Sequence, residues 1–332
     1  MHSKTDKIAG NDSAREAHAH KHMRELIALA KKQTRLRVAV VHPCDEVSLL
    51  GADVAAKEGL ITPILVGPAE KIRAAAEAAH VSLRNYEIAD APHSHAAAEL
   101  AVKLASDGKA DALMKGSLHT DELMGAVVAH DSGLRTDMRM THVFVMDVPS
   151  ARWPLFITDA ALNIAPNLMD KRDICQNAIH LAHDLGMDAP KVAILAAVET
   201  VNITMPSTID AAALCKMAER GQITGGVLDG PLAFDDAINV EAARIKNIVS
   251  PVAGQADILV VPSIEAGNML TKQLDYLAGG ESAGIVLGAK VPVILTSRAD
   301  FSSARLASAA LAVLVATGDK RRVAAKVAAL KK

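Results

Sequence analysis

The sequence predicts an α/β protein built mainly from parallel sheets with helices on both faces. Short apolar runs rich in β-branched residues alternate with amphipathic or alanine-rich segments of about 10 to 15 residues, which is typical of βαβ units. Half of the 332 residues are hydrophobic but only 2% are aromatic, so the core is expected to consist of Ala, Val, Ile and Leu. The length is sufficient for two such domains.

Composition excludes several classes of partner. The net charge of −2 gives no general attraction to nucleic acids or anionic membranes. The three cysteines are widely spaced, so neither a disulfide framework nor a zinc cluster is predicted. The N-terminal segment lacks the apolar stretch of a secretory signal, and later apolar runs are interrupted by charges or proline. We therefore expect a cytoplasmic protein with a disordered tail at residues 1–20 and no nucleic-acid or membrane partner.

The first third of the chain follows the strand and helix alternation closely. Strands are expected at 36–41, 61–66, 86–88 and 110–114, and helices at 22–32, 46–58, 69–80 and 94–106. Each intervening helix is long enough to join neighbouring parallel strands by a right-handed crossover. This part of the chain is therefore predicted to form successive βαβ units.

The alternation is interrupted after residue 140. Two strand-like runs, 142–148 and 155–158, are separated by only six residues, too few for a crossover helix, so they are expected to pair antiparallel. This interruption indicates a domain boundary or an inserted sheet. Further strand-like runs follow at 192–198, 226–228, 258–261, 283–287 and 291–295, with helices at 170–185, 207–220, 240–247, 267–278, 302–317 and 320–330.

The residues that follow the run at 291–295 outline an anion site. Ligands of open parallel sheets bind at the carboxyl ends of the strands. Here Ser297, Arg298 and Asp300 precede a helix that opens at Ser302. The helix N-terminus and the guanidinium would both suit a phosphate. From spacing alone, a simple ion pair between Arg298 and Asp300 is an open alternative.

The loop after the strand at 110–114 contains the parts of a phosphate cradle. Lys115, Ser117 and Thr120 surround a flexible Gly116 and lead into a helix. The loop lacks the GxxxxGK[ST] spacing of a P-loop, so its signal is weak when taken alone.

Polar side chains also follow three later strands. Asp229 and Asn268 each follow a strand-like run, as does the polar loop at 158–163. Each has a plainer interpretation, because Asp229 begins an Asp-Gly-Pro turn sequence and Asn268 with Glu265 is suited to capping a helix. Five such loops together favour a common site at one edge of the sheet.

Other kinds of site are less well supported. The chain has no GxGxxG opening a βα unit and no GxSxG elbow, which argues against a standard dinucleotide fold and an α/β hydrolase. His180 and His183 lie three residues apart on a predicted helix without an apparent third ligand, so a packed or solvated pair is expected rather than a metal site.

In combination, these segments resemble the phosphate acetyl/butyryltransferase family. The resemblance extends from about Val38 to Ala316. It is carried, in chain order, by Met114-Lys115-Gly116 with Thr120, LFITDAALNIAPNLMDKRDICQNAI from Leu155, VLDGPLAFDDAI from Val227, PSIEAGNMLTKQLDYLAG from Pro262 and PVILTSRAD from Pro292.

The resemblance implies a two-domain fold of the isocitrate/isopropylmalate dehydrogenase-like type, with the active-site cleft between the domains and commonly a homodimer. Domain I would comprise residues 21–140 and 285–332, and domain II the inserted residues 141–284. The implied reaction is reversible: acyl-CoA plus inorganic phosphate gives acyl phosphate plus CoA. No metal or redox cofactor is implied, and CoA is a substrate. Acetyl transfer is the main expectation, and butyryl or another short acyl group is the alternative.

The resemblance also implies roles for individual residues. Ser297 would contact the CoA thiol, and Arg298 the phosphate or the developing oxyanion. Ser117 and Thr120 would hold phosphate oxygens, and Lys115 would add positive charge.

One position departs from the pattern of the acetyl-specific members. They often carry an aspartate, the proposed base, seven residues beyond the serine, where this chain has Ala304. The Ser-Arg-Ala-Asp sequence is closer to the butyryl-type branch, so Asp300 becomes the candidate base. A non-catalytic CoA- or phosphate-binding relative is a rival motivated by Ala304. A metal-dependent decarboxylating dehydrogenase is a second rival, but it would need clustered carboxylates and a cofactor loop that are not apparent.

Overall fold

The computed structural model describes residues 20–296 and 302–330, and the side chains among them except 302 and 319–330. The strands are β1 (Leu36–Val41), β2 (Ile61–Gly67), β3 (Glu87–Asp90), β4 (Ala112–Lys115), β5 (Thr141–Asp147), β6 (Leu155–Thr158), β7 (Lys191–Leu195), β8 (Val227–Leu232), β9 (Ile258–Val260), β10 (Glu281–Leu287) and β11 (Val293–Ile294). The helices are α1 (Lys21–Ala30), α2 (Glu46–Lys57), α3 (Ala69–Ala78), α4 (Ser94–Ser106), α5 (Thr120–Val128), α6 (Leu168–Asp184), α7 (Pro206–Glu219), α8 (Phe234–Ile238), α9 (Val240–Ile245), α10 (Ile264–Leu277) and α11 (Ser302–Leu330). The disordered tail predicted at 1–20 lies, except for its last residue, outside the described residues.

The eleven described strands form one mixed sheet in the order β3-β2-β1-β4-β11-β10-β5-β6-β9-β7-β8. Both flanks are parallel, from β3 to β11 and from β6 to β8. In the centre, β10 runs antiparallel to β11 and β5, and β5 runs antiparallel to β6. The predicted antiparallel pair is thus confirmed, whereas the division into domains I and II stays a prediction.

The core is aliphatic, as the composition predicts. Strand residues such as Val38 and Val40 are fully buried, and Phe156 is a rare aromatic among them. Helix α11 is buried all round between 307 and 316, where Ser308 is its only polar residue. Its Ser308 hydroxyl accepts the N–H of Gly284 in β10 at 2.9 Å, so a helix side chain satisfies a backbone donor of the sheet.

Several elements differ from the sequence-based expectation, among them helix α8 (Phe234–Ile238), which was not predicted. The helices predicted at 302–317 and 320–330 are one continuous helix, because no proline separates them and Gly318 is tolerated within a helix. Strand β8 was expected to end at residue 228 but continues to Leu232, so Asp229 lies within the strand rather than after it.

Candidate active site

A cavity of about 440 Å³ opens where β4 and β11 end. These two strands are parallel neighbours, so their carboxyl ends lie at one edge of the sheet. The β4–α5 loop and the end of β11 line one side, helix α10 lines another, and β5 with β10 contribute to the floor. The cavity therefore lies at the sheet edge where the sequence predicts a ligand.

The β4–α5 loop brings a cation and a hydroxyl to this cavity. Lys115 is the last residue of β4, lines the cavity and is only 7% exposed. Gly116 follows it because a Cβ there would collide with the carbonyl oxygen of Val41 and lie 2.7 Å from that of His42. Thr120, the first residue of α5, also lines the cavity, beside the positive end of the helix dipole. This combination is suited to an anion.

Ser117 of the same loop has a different position. Its hydroxyl donates to the carbonyl oxygen of His42 at 2.8 Å and accepts the N–H of Cys44 at 3.2 Å. Both bonds tie the loop to the segment that follows β1, and Ser117 does not line the cavity. Its expected contact with phosphate stays a prediction.

One face of α10 forms the wall opposite. Ser263 caps this helix, its hydroxyl accepting the N–H of Ala266 at 3.4 Å, so Asn268 is not the cap. Asn268 instead lines the cavity and donates to the carbonyl oxygen of Ala160 at 3.4 Å. The other cavity-lining residues of α10 follow at helical spacing: Thr271, Lys272, Asp275 and Tyr276.

The floor carries a histidine that the sequence pattern does not single out. His142 and Phe144 are alternate residues of β5, and their rings pack edge to face with centroids 4.3 Å apart. Burial lowers the pKa of His142 to about 4, although the Asp159 carboxylate and the Leu295 carbonyl favour the protonated ring. The imidazole is therefore neutral at pH 7. Opposite Phe144 lies Gly284, where a Cβ would come within 2.9 Å of His142 Nε2.

The polar loop after β6 supports this floor. Asp159 is buried, and its carboxylate accepts the N–H of His142 at 3.1 Å and the side-chain amide of Asn163 at 2.6 Å. Asn163 in turn accepts a hydrogen bond from Arg139 Nε at 2.8 Å. This loop was predicted to be part of the ligand-binding edge, and it contributes Ala161 to the cavity. The Asp159 carboxylate instead stabilises the backbone of the loop and of β5.

The predicted catalytic residues Ser297, Arg298 and Asp300 lie outside the described residues. The residues that flank them in sequence do line the cavity. These are Leu295 and Thr296, which follow β11, and Ala304, which lies in the first turns of α11. Ala304, the position at which the family resemblance places the base of acetyl-specific members, therefore lines this cavity.

Asp229 lies apart from the cavity. Strand β8 is at the edge of the sheet and is separated from β5 by β6, β9 and β7. The Asp229 carboxylate accepts the N–H of Gly230 at 2.8 Å, and Asp229 does not line the cavity. Its predicted part in substrate binding has no support from this placement.

The cysteines are free thiols with raised pKa values. Burial raises the pKa of Cys44 to about 11 and that of Cys215 to about 12. Burial raises the pKa of Cys175 as well, and this residue is fully enclosed by α6 and its neighbours. At pH 7 all three are protonated and therefore poor nucleophiles.

The paired histidines of α6 contact neighbouring protein groups. His180 Nε2 lies 3.1 Å from Gln176 Nε2, and His183 Nε2 lies 2.7 Å from the carbonyl oxygen of Gly225. Within the described parts of the chain, no group of three or more His, Cys, Asp or Glu residues is arranged to hold a metal ion.

No helix in those same parts combines the length and the apolar character needed to span a bilayer.

Comparison with known proteins relates the chain to one family. The model of the phosphate acetyl/butaryl transferase family matches residues 93–313. The chain is 62% identical to the phosphate acetyltransferase of Rhizobium meliloti, over 92% of this chain and 96% of that protein. It is 43% identical to the phosphate butyryltransferase of Clostridium acetobutylicum, over 90% and 99% of the two chains. A branched-chain phosphotransacylase from Enterococcus faecalis V583 has a similar structure, with a TM-score of 0.74 and 29% identity over 85% of this chain and 99% of that one. The predicted α/β fold class is confirmed.

Proposed function

The chain belongs to the phosphate acetyl/butyryltransferase family and is a phosphate acyltransferase, and we propose that it transfers an acetyl group between CoA and inorganic phosphate. One observation carries the proposal. Segments far apart in the sequence meet in a single cavity, with Lys115 from β4, Asn268 from α10, and Thr296 and Ala304 on either side of 297–300. The site thus combines an anion-binding edge with room for an acyl group.

The reaction needs stabilisation of negative charge at two places. In one direction, a phosphate oxygen attacks the thioester carbon of acetyl-CoA, the C–S bond breaks, and the CoA thiolate takes up a proton. In the reverse direction, the CoA thiol loses its proton and attacks acetyl phosphate, and phosphate leaves. In both, the carbonyl oxygen gains negative charge beside the anionic phosphate. Lys115 and the N-terminus of α5 are suited to neutralise that charge.

The family resemblance supplies the remaining roles. Ser297 contacts the thiol, and Arg298 binds the phosphate or the developing oxyanion. A free thiol has a pKa of about 8.5, so an acceptor for its proton speeds the attack. Asp300 is the proposed base, because the methyl group of Ala304, which lines the cavity, cannot accept a proton.

Direct transfer, without an acyl-enzyme intermediate, fits the cysteines of this chain. Cys44 lies near the β4–α5 loop, where its N–H bonds to Ser117, but its raised pKa keeps the thiol protonated. A protonated thiol is a poor nucleophile and therefore a poor acyl acceptor. The acyl group is therefore proposed to pass directly between phosphate and CoA.

Acetyl is proposed as the preferred acyl group. The higher identity to a phosphate acetyltransferase, 62% against 43% for a phosphate butyryltransferase, supports this preference. Butyryl is the second candidate, because Leu118, Phe144 and Leu295 give the cavity an apolar part in which a longer chain would find contacts.

The test uses purified protein that has been dialysed against a chelator. Acetyl phosphate or butyryl phosphate is mixed with CoA, without NAD or added metal, and thioester absorbance is followed. We expect thioester formation, faster with acetyl phosphate. If no short acyl phosphate yields a thioester, the proposed reaction is wrong. If butyryl phosphate reacts faster, only the acetyl preference is wrong.

A pair of arginine variants controls the assay. Arg298→Ala should lose about 100-fold or more in rate while remaining folded, as expected for loss of a donor to a developing oxyanion. Arg244→Gln removes an exposed arginine whose partner is Glu241 of the same helix, so it should leave the rate unchanged. Equal rates for the two variants would assign Arg298 a structural role.

We also propose that the protein is a homodimer located in the cytoplasm. It is proposed to have no resident cofactor and no nucleic-acid or membrane partner. The homodimer is supported by the family resemblance, which commonly implies that state. Sedimentation equilibrium should give twice the chain mass. A monomeric mass at the assay concentration would contradict the dimer without affecting the proposed reaction.

A further inference from the structure

A smaller lobe of about 60 Å³ borders the main cavity beside the start of helix α2. Lys115 and Thr296 line both the main cavity and this lobe. The other walls include Asp45 and Ser48 at the start of α2, and Arg305 of α11. The lobe is far smaller than a nucleotide requires, so the ligand class that it suits is a small ion or a terminal group.

Arg305 is built into this lobe. It is 7% exposed, although a guanidinium is permanently charged. Its Nη1 donates to the Thr296 hydroxyl at 3.2 Å. Its aliphatic stem crosses α2 at Gly51, where a Cβ would lie 2.9 Å from Arg305 Cδ. A glycine inside a helix makes the helix less stable than an alanine would. Packing explains why glycine is found at position 51, because it leaves room for the arginine stem.

Two cationic side chains from different elements therefore meet at one lobe, Lys115 from β4 and Arg305 from α11. The planar guanidinium matches the oxygens of a phosphoryl group, and the hydroxyl of Thr296 adds a polar contact. The carboxylate of Asp45 also lines the lobe, but its Oδ1 accepts the N–H of Ser48 at 2.7 Å and so caps α2. The chemistry of the lobe favours a phosphoryl group.

We propose that Arg305 binds the phosphoryl group of inorganic phosphate or acyl phosphate, as a second cation beside Lys115. The inference rests on the proposed function, because it adds a phosphate-binding residue to the same reaction. A phosphate of CoA has the same chemistry. The lobe is assigned to the smaller substrate because it shares Lys115 and Thr296 with the main cavity.

The test compares Arg305→Gln and Arg305→Lys with the wild-type chain in the direction of acetyl phosphate synthesis. Arg305→Gln should raise KM for phosphate about 10-fold or more and leave KM for acetyl-CoA within about twofold, as expected when one charge-assisted hydrogen bond to phosphate is lost. The KM of Arg305→Lys for phosphate should lie between those of the wild-type chain and Arg305→Gln. Arg244→Gln, on the exposed face of α9, is the matched control and should change neither constant. In the reverse direction, the ratio of rates with CoA and dephospho-CoA should be unaffected.

A second variant covers the case in which Arg305→Gln does not fold. Gly51→Ala keeps the arginine and favours the helix, but pushes on the arginine stem, so it should raise KM for phosphate while the melting temperature is retained. Phosphate should also raise the melting temperature of the wild-type chain more than that of Arg305→Lys, which is measurable without turnover. Wild-type KM values for phosphate in both Arg305→Lys and Gly51→Ala would overturn the inference. So would a defect confined to the CoA/dephospho-CoA ratio. An inactive wild-type chain whose phosphate-induced shift still depends on Arg305 would count against the proposed reaction alone.

Discussion

Gly116 is the position at which a single methyl group should disturb the site most. It lies between Lys115 and Ser117, directly beside the end of β1. A Cβ at this position would collide with the carbonyl oxygen of Val41 and lie 2.7 Å from that of His42. Both neighbours are backbone atoms, of the buried last residue of β1 and of the residue that follows it, so they cannot move aside as a flexible side chain would. Gly116→Ala must therefore push the β4–α5 loop away from β1.

The magnitude follows from the hydrogen bonds that this movement breaks. The N–H of Gly116 donates to the carbonyl oxygen of Val41 and that of Ser117 to His42, each at 2.9 Å. Losing two such bonds costs about 1–3 kcal/mol, and a further bond, from the Ser117 hydroxyl to His42, is at risk. Alanine recovers about 0.4–1 kcal/mol by restricting the unfolded chain. If all three bonds are lost, we expect a net loss of about 2 kcal/mol in the free energy of unfolding.

Denaturant unfolding and steady-state kinetics together test this expectation. Because Lys115 and Thr120 belong to the displaced loop, KM for phosphate should rise with the loss of stability. Gly125→Ala is the matched control, since it lies in α5 with no heavy atom within 4 Å of its Cβ position, and alanine there should hold or raise stability. If Gly116→Ala unfolds at the wild-type denaturant concentration and keeps the wild-type KM, the proposed contact between loop and strand is wrong.

The remaining predictions concern pH and the base. Burial lowers the pKa of His142 from 6.5 to about 4, so the unfolded chain binds the proton first. Stability should therefore fall by up to about 3 kcal/mol as pH drops from 6.5 to 4, and His142→Gln should lack that part of the fall in urea titrations; a wild-type pH slope in the variant would contradict this. Asp300→Asn should lower kcat about 100-fold, and adding Ala304→Asp should restore part of it; an unchanged rate in the first variant would remove Asp300 from the mechanism.

Much of the sheet could be predicted from the sequence. Buried parallel strands appear as continuous apolar runs, which is why β1, β2 and β9 were predicted within about two residues. The short connection after β5 excluded a crossover, and the pair is antiparallel as expected. Strand order was not predictable, because it depends on packing between distant elements. It leaves Asp229 at an edge strand, although Asp229 resembles the other residues that follow strands.

The site was predictable only in part, for a similar reason. Lys115, Thr120 and Asn268 stand near the carboxyl ends of strands, where polar residues have few structural roles, and all three line the cavity. His142 lies inside an apolar run, so its sequence context is that of a core residue. Arg305 lies on a predicted helix, and its burial depends on the packing of α2 and on Gly51. Neither residue has a local sequence signal.

The β4–α5 loop and the 297–300 segment are proposed to act on one phosphate in one cavity. A double-mutant cycle tests it most directly, with kcat/KM for phosphate measured for wild type, Lys115→Ala, Arg298→Ala and the double variant. Two cations that bind the same phosphate should be coupled by about 1–3 kcal/mol. Effects that add within about 0.5 kcal/mol would show that the two residues act independently, and would contradict a shared phosphate site.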